Sequence, residues 1–339
     1  MQASSELTKY SLAQWITCAR GWRLLIFLAM VVVGAACSSE RRGQPGGQNA
    51  DPESMETTHL PPAEPLHVSL EVPNLHNGQL TIFKLRADSR MQPIRDLRGA
   101  LGGHRISSVK WATHGRHWMI LAVLPIGYGD KEARLVLRGD FEDGNTFTLE
   151  RSFSVSPLDY PSEKLEVDKK FVALPKKTKA RVQGERRSMK RALGVDIPIR
   201  FWRGSFIRPT NSEETSVFGV QRLYNNKKES RHMGWDLDGV TGDPVLSAQR
   251  GKVILNEDRY YSGQTLVIHH GNGLVSMYFH LSKTQVAEGE MVEAGQQIGL
   301  MGESGRVTGP HLHFAAKLHN VYFDPKSLVS LSFDEDPLL

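Results

Sequence analysis

Residues 146–155 read Thr-Phe-Thr-Leu-Glu-Arg-Ser-Phe-Ser-Val. The apolar side chains of Phe147, Leu149, Phe153 and Val155 recur with a period of two, and the other positions are polar. This period places alternate residues on opposite faces of a β-strand. The stretch therefore predicts a strand with one buried and one solvated face, as is common in antiparallel sheets.

Similar alternation fills the chain on the N-terminal side of this stretch. It begins at Leu66, Val68 and Leu70, and Asn77-Gly78 has the sequence of a hairpin turn. Several such strands at about ten-residue spacing predict an immunoglobulin-like β-sandwich over residues 65–156.

A second β-rich region begins near residue 198, where strand-like stretches alternate with Gly and Pro. We predict an antiparallel β-sheet domain over residues 198–331, joined to the sandwich by a connector at residues 157–197. The predicted fold class is therefore all-β.

The connector is unusually basic, although the net charge of the 339-residue chain is only +5. Between residues 176 and 191 the single acid is Glu185. The basic residues of this segment are Lys176, Lys177, Lys179, Arg181, Arg186, Arg187, Lys190 and Arg191. Such a run is either a solvated linker or helix, or a surface that attracts an anionic polymer or a membrane. No nucleic-acid-binding motif accompanies it, so we do not expect nucleic acid as a partner.

The N-terminal segment has the pattern of an export signal. Arg20 and Arg23 precede an apolar run at residues 24–36, which is shorter than the roughly 20 residues that span a bilayer. Small residues then lead into Cys37, as in a bacterial lipobox. We expect residues 1–37 to be a signal peptide with Cys37 lipidated, or alternatively an uncleaved signal anchor, followed by a flexible linker at residues 38–64.

Cysteine usage narrows the chemistry of the folded part. The chain contains only Cys18 and Cys37, and both lie in or beside the export segment. This excludes a disulfide framework, a cysteine zinc site and a cysteine nucleophile from the folded domains.

Histidines concentrate in the second domain, within stretches that otherwise resemble core strands. His232 and Asp236 are four residues apart, and His311 and His313 are two apart, so each pair shares a face if its segment is extended. His280 ends the apolar stretch Met277-Tyr278-Phe279. Two imidazoles and one carboxylate, with one position left open, have the composition of a catalytic zinc site, and further imidazoles can transfer protons or stabilise an oxyanion.

Residues 206–328 resemble the M23 family of zinc endopeptidases, the lysostaphin- and LytM-like enzymes. The motifs that carry this resemblance are Phe218-Gly219, His232-Met-Gly-Trp-Asp236-Leu237, Gly242-Asp-Pro244-Val245, Gly251-Lys-Val253, Tyr278-Phe-His280-Leu281-Ser282, Gly295-Gln-Gln-Ile298-Gly299, Gly302-Glu-Ser-Gly305 and Thr308-Gly-Pro-His311-Leu-His313-Phe314.

The resemblance assigns roles that spacing alone leaves open. It implies that His232, Asp236 and His313 hold one Zn²⁺, and that His280 and His311 are the catalytic histidines. It also implies substrate-binding roles for Arg222 and for one of the two tyrosines Tyr260 and Tyr261.

The expected function is zinc-dependent hydrolysis of peptide cross-links in bacterial peptidoglycan, as a D,D-endopeptidase of cell-wall remodelling. The expected location is the periplasm or cell envelope, as an outer-membrane lipoprotein. The alternative is a non-catalytic LytM-type activator of a cell-wall amidase, although such proteins usually lack one or more metal ligands. The resemblance says nothing of the oligomeric state.

Overall fold

The computed structural model describes residues 68–71, 74–110, 115–165, 175–224 and 228–333. All of them belong to one compact unit, Ala63–Leu339. The predicted signal peptide with Cys37 and the predicted linker at residues 38–64 lie outside the described residues.

The N-terminal part of this unit consists of strands. In chain order they are β1 (Val68–Glu71), β2 (Leu75–His76), β3 (Leu80–Ala87), β4 (Ile94–Leu101), β5 (His104–Arg105), β6 (Ser107–Lys110), β7 (His117–Val123), β8 (Glu132–Phe141) and β9 (Thr146–Ser156). They form a four-stranded sheet in the order β1-β3-β7-β6 and a five-stranded sheet in the order β2-β9-β8-β4-β5.

The two sheets enclose one hydrophobic core, as the alternation in β9 predicts. Phe147 and Val155 of that strand are buried, whereas the polar positions between them are exposed. Phe147 shares the core with Phe83 and Trp118 of the opposite sheet. The predicted sandwich architecture is thus present.

The Asn77-Gly78 turn does not close a hairpin, contrary to the prediction. β2 pairs in parallel with β9, whereas β3 pairs with β1 and β7, so the turn passes the chain from one sheet to the other. Gly78 has φ 75° there, a value that favours glycine.

The C-terminal part follows a connector that contains β10 (Ser162–Leu165) and α1 (Lys176–Leu193). Its elements are β11 (Glu214–Ser216), β12 (Gln221–Tyr224), β13 (Lys228–Arg231), β14 (Trp235–Asp238), β15 (Pro244–Leu246), β16 (Gly251–Arg259), β17 (Gly263–Gly271), β18 (Leu274–Leu281), β19 (Lys283–Thr284), β20 (Met291–Val292), β21 (Gln297–Leu300), β22 (His311–Leu318), β23 (Val321–Phe323) and α2 (Pro325–Ser330).

Its centre is an eight-stranded sheet in the order β11-β14-β22-β18-β17-β16-β20, with β23 beside β22. All of its recorded pairings are antiparallel. Smaller sheets are β15-β21-β19 and β10-β12-β13. The predicted all-β fold class is confirmed.

One face of the large sheet lies against the sandwich. β7 is buried on both sides: Trp118 and Ile120 point into the sandwich core, whereas Met119 and Leu121 join the core that contains Leu318 of β22. Hydrogen bonds also cross this junction. Ser107 Oγ donates to the Asn272 carbonyl, and the Asp324 amide donates to the Gly78 carbonyl. The two β regions therefore share a hydrophobic core.

Part of the other face of the sheet is covered by α1. Ala192 of the helix packs with Val267, Val275 and Phe279. Within the described residues, no helix has the length and hydropathy that crossing a bilayer requires.

Met119→Ala tests whether the shared core couples the two β regions. We expect a loss of about 2–5 kcal/mol in unfolding free energy, because a buried side chain is replaced by a cavity. Hydrogen exchange should then accelerate in β18 and β22 as well as in the sandwich, measured by mass spectrometry. Exposed Lys131→Gln is the control, and unchanged exchange in β18 and β22 of Met119→Ala would contradict a common cooperative unit.

Candidate metal centre

The site begins with the register of two antiparallel strands. β14 pairs with β22 so that Asp236 lies directly opposite His313. β22 pairs on its other side with β18, which places Phe279 opposite His313. The imidazole of His313 packs on the Phe279 ring at a centroid distance of 5.2 Å.

His232 reaches the same point from outside the sheet. The expectation that His232 and Asp236 share one extended segment is wrong, because β13 ends at Arg231 and β14 begins at Trp235. The chain bends at Gly234, where a Cβ would lie 2.4 Å from His313 Nε2. Glycine thus leaves the space that the His313 ring occupies.

Three side-chain atoms converge in a small triangle. His232 Nε2 lies 2.9 Å from Asp236 Oδ1, His313 Nδ1 lies 2.7 Å from the same oxygen, and the two nitrogens are 2.9 Å apart. His232 and Asp236 are buried and His313 is partly exposed.

A backbone carbonyl sets the tautomer of His232. Its Nδ1 lies 2.7 Å from the Val217 carbonyl oxygen, which can only accept, so Nδ1 carries the proton. The lone pair of Nε2 then points at Asp236 Oδ1. Val217 thereby fixes the orientation of the imidazole, as carbonyl groups that accept the second ring N–H of a metal-binding histidine commonly do.

This donor set suits a cation. A proton on His313 Nδ1 can form a hydrogen bond with Asp236 Oδ1. The lone pair of His232 Nε2 still faces the same carboxylate oxygen, which is an unfavourable contact without a cation. A metal ion accepts from all three atoms at once. Their separations of 2.7–2.9 Å are slightly shorter than the roughly 3.3 Å expected between tetrahedral ligands about 2.0 Å from zinc. These three residues can therefore hold a metal ion.

The protonation states agree with metal binding. Burial works against ionisation of Asp236, but the adjacent His232 and His313 imidazoles outweigh burial and hold the pKa of Asp236 well below its ordinary value. Burial lowers the pKa of His313. A carboxylate beside a neutral imidazole is the form in which these groups bind metals.

His280 and His311 lie beside the triangle, with ring centroids 4.9 Å apart. His280 Nδ1 donates to the Ser304 carbonyl and His311 Nδ1 to the Gly309 carbonyl, each over 2.9 Å. Each Nε2 therefore carries a lone pair when the ring is neutral. His311 Nε2 is 4.0 Å from Asp236 Oδ1.

His280 has an unusual backbone. Its φ is 63°, in the left-handed region that a non-glycine residue seldom adopts. Its amide donates to the Ser262 carbonyl over 2.9 Å, which helps hold this conformation at the end of β18. Burial lowers the pKa of His280 to about 4, so the ring is neutral at neutral pH.

The residues predicted for substrate binding occupy two positions. Tyr260 and Tyr261 form an edge-to-face pair at 5.0 Å, and the Arg306 guanidinium lies 4.8 Å from the Tyr261 ring centre. Arg222 instead lies behind the triangle, with Nη2 3.9 Å from Asp236 Oδ2 and 3.1 Å from Ser216 Oγ.

Sequence reasoning missed the residues that hold the imidazoles of the site in position. Val217 and Ser304 act through backbone carbonyls, which leave no signal in side-chain identity. Tyr160 packs against Gly219, where a Cβ would lie 2.0 Å from its ring, and donates its hydroxyl hydrogen to the Asn77 carbonyl. Tyr160 thus braces the turn that follows Val217 against the sandwich.

Residues 230–325 match the model of Peptidase family M23. This stretch contains β14, β22 and the three converging ligands. The chain therefore contains a domain of peptidase family M23.

Named relatives are similar over the same region. Peptidoglycan DD-endopeptidase ShyA of Vibrio cholerae is 43% identical over 101 residues, which are 30% of this chain and 24% of that protein. ShyC, a peptidoglycan DD-endopeptidase of the same organism, is 32% identical over 143 residues, or 42% of this chain and 30% of that protein. The chain spans less than a third of the length of these relatives.

A solved structure from Pseudomonas aeruginosa, whose description assigns it to peptidase M23, shares the overall fold. It has a TM-score of 0.57 and 24% sequence identity, covering 76% of this chain and 96% of that one. Since this coverage exceeds the family domain, the likeness in fold extends beyond residues 230–325.

Gly234→Ala tests the space beside His313. The added Cβ would displace the imidazole, so we expect the affinity for zinc to fall by at least about tenfold, within the range known for perturbed metal surroundings. Competition with a chromophoric chelator measures the affinity. Gly129→Ala is the control, because nothing lies within 4 Å of its Cβ position. Equal zinc affinity in both variants would contradict this account of Gly234.

Proposed function

We propose that the chain is a zinc-dependent D,D-endopeptidase that hydrolyses peptide cross-links in bacterial peptidoglycan. The observation that carries the proposal is the triangle of His232, Asp236 and His313, with two further imidazoles beside it. Relatives that bear the name peptidoglycan DD-endopeptidase support the choice of substrate.

Zinc is the metal that we propose for this triangle. Two imidazole nitrogens and one carboxylate oxygen, with a fourth position open to water or substrate, are typical of catalytic zinc sites. When bound, such an ion polarises a carbonyl and lowers the pKa of a coordinated water.

His280 and His311 perform the proton chemistry in this proposal. Nδ1 of each ring is engaged by a backbone carbonyl, so Nε2 is the atom that can exchange a proton. One ring accepts a proton at Nε2 from the attacking water and then delivers it to the amine nitrogen that leaves as the peptide bond breaks. The other, protonated at Nε2, donates a hydrogen bond to the oxygen of the scissile carbonyl as negative charge develops there.

Neighbouring side chains contribute orientation and charge. We propose that Tyr260 and Tyr261 contact the substrate peptide on the β16–β17 loop. Arg222 would assist from behind Asp236, where its positive charge favours the ionised carboxylate.

The proposed location is the bacterial cell envelope. Residues 1–37 would direct export and Cys37 would carry the lipid anchor at the outer membrane, with residues 38–64 as tether, 65–156 as sandwich, 157–197 as connector and 198–331 as peptidase domain. These assignments rest on the sequence pattern.

The direct test is digestion of a purified cross-linked muropeptide dimer by the zinc-loaded full chain, followed by mass spectrometry. We expect monomers from the intact chain, none after chelation or in His232→Ala, and a rate about 10²–10⁴-fold lower in His280→Ala or His311→Ala. His104→Ala on the sandwich is the histidine control.

The opposite outcome would favour the activator class. A chain that binds zinc, leaves every dimer intact and stimulates a separate cell-wall amidase would overturn the proposal.

A further inference from the structure

The outward face of α1 carries seven exposed basic side chains. This cationic face consists of Lys176, Lys177, Lys179, Arg186, Arg187, Lys190 and Arg191. The one acid of the helix, Glu185, is buried on the opposite side. Among the described residues, none of the seven has an ion-pair partner, whereas Arg181 of the same helix pairs with Glu185 and Asp258.

Part of this charge pattern works against the helix that carries it, although Lys190 and Arg191 lie in the last turn, where the dipole favours positive charge. Arg186 and Lys190, like Arg187 and Arg191, are four residues apart, a spacing at which like charges repel. Lys176 and Lys177 begin the helix, where the dipole favours negative charge, and Pro175 supplies no side-chain cap. A merely solvated helix face usually mixes both signs, so the retained cost suggests an anionic partner.

The helix lies on the same side of the large sheet as the metal centre. On β22, His311, His313 and Ala315 alternate onto one face, and Ala315 packs in the cluster that contains Ala192 of α1. Phe279 belongs to the same cluster and also contacts the His313 ring.

The helix is also tied to the loop beside the site. Glu185 Oε1 accepts the Tyr260 amide over 3.0 Å, and the Glu185 carbonyl accepts Arg259 Nη2 over 2.7 Å. Two residues further on, the Ser262 carbonyl holds the amide of His280. A polymer that enters the site can therefore continue across α1.

We propose that the cationic face binds free carboxylates of peptidoglycan stem peptides that flank the cross-link in the site. This inference rests on the proposed function, because it names a second contact with the same substrate. Several cations along an 18-residue helix, about 27 Å long, suit repeated, well-hydrated anions of a polymer.

A membrane surface is the competing partner for the same charges. The outward face itself bears Ala180, Gln183 and Gly184 between the cations, so it presents no large apolar side chain for insertion. Exposed Val195 and Ile199 follow the helix, and vesicles of anionic phospholipid therefore belong in the test.

The test is co-sedimentation of the chelator-treated full chain with purified peptidoglycan sacculi at low salt. The variant Lys179→Gln, Arg186→Gln, Arg187→Gln and Lys190→Gln should bind at least about tenfold more weakly, because attraction between unlike charges is lost. A charge-preserving variant, with Lys179→Arg, Arg186→Lys, Arg187→Lys and Lys190→Arg, should bind like the parent.

Two further arms identify the ligand. In the first, the carboxylates of the sacculi are converted to amides. The parent should bind these amidated sacculi weakly, with about the affinity of the glutamine variant for untreated sacculi. Neutralising four exposed cations on the sandwich (Arg95→Gln, Lys131→Gln, Arg138→Gln, Arg151→Gln) is the control and should leave binding within about twofold, since those charges lie on another surface.

Three results would overturn the inference. They are equal binding by parent and glutamine variant, undiminished binding to amidated sacculi, and a loss confined to phospholipid vesicles. Because chelation stops hydrolysis, binding is read independently of cleavage. Failure of the proposed function would appear instead with the intact zinc-loaded chain and the muropeptide dimer.

Discussion

The antiparallel pairing of β14 with β22 places Asp236 opposite His313, and the metal centre depends on this register. A shift of one residue would turn either side chain to the opposite face of the sheet, where the aromatic and aliphatic core lies. Leu312 and Phe314 are fully buried on that face, so their packing resists the shift. Hydrophobic burial on one side of the strands thus sets the position of the polar ligands on the other.

Backbone carbonyls complete what the register begins. The carbonyls of Val217, Ser304 and Gly309 each accept the Nδ1 proton of one imidazole, in His232, His280 and His311 respectively. Nε2 of each ring is therefore the atom that can bind a metal ion or a proton. Two loops beside the site are also held in place by contacts with neighbouring elements. Tyr160 connects the Phe218-Gly219 turn to the sandwich, and Glu185 of α1 holds the β16–β17 loop. The elements outside the family domain therefore support the geometry within it.

Much of this arrangement is predictable from short-range pattern. Alternation identifies the β-sandwich, and the spacing of His311 and His313 places both on one face of a strand. The Asn77-Gly78 turn and the bend at Gly234 are not predictable in this way, because each depends on which distant strands pair. The supporting carbonyls escape detection for a related reason: every residue has one, and only tertiary structure selects those that face an imidazole.

We propose that the four histidines of the site have two roles: His232 and His313 bind the metal, whereas His280 and His311 act beside it. X-ray absorption spectroscopy at the zinc edge of the loaded full chain tests it most directly, since it counts imidazole ligands. We expect two imidazoles among the nitrogen and oxygen ligands, with the number falling to one in His313→Ala and staying at two in His280→Ala. Three or more imidazoles in the intact chain, or a loss of one in His280→Ala, would contradict it.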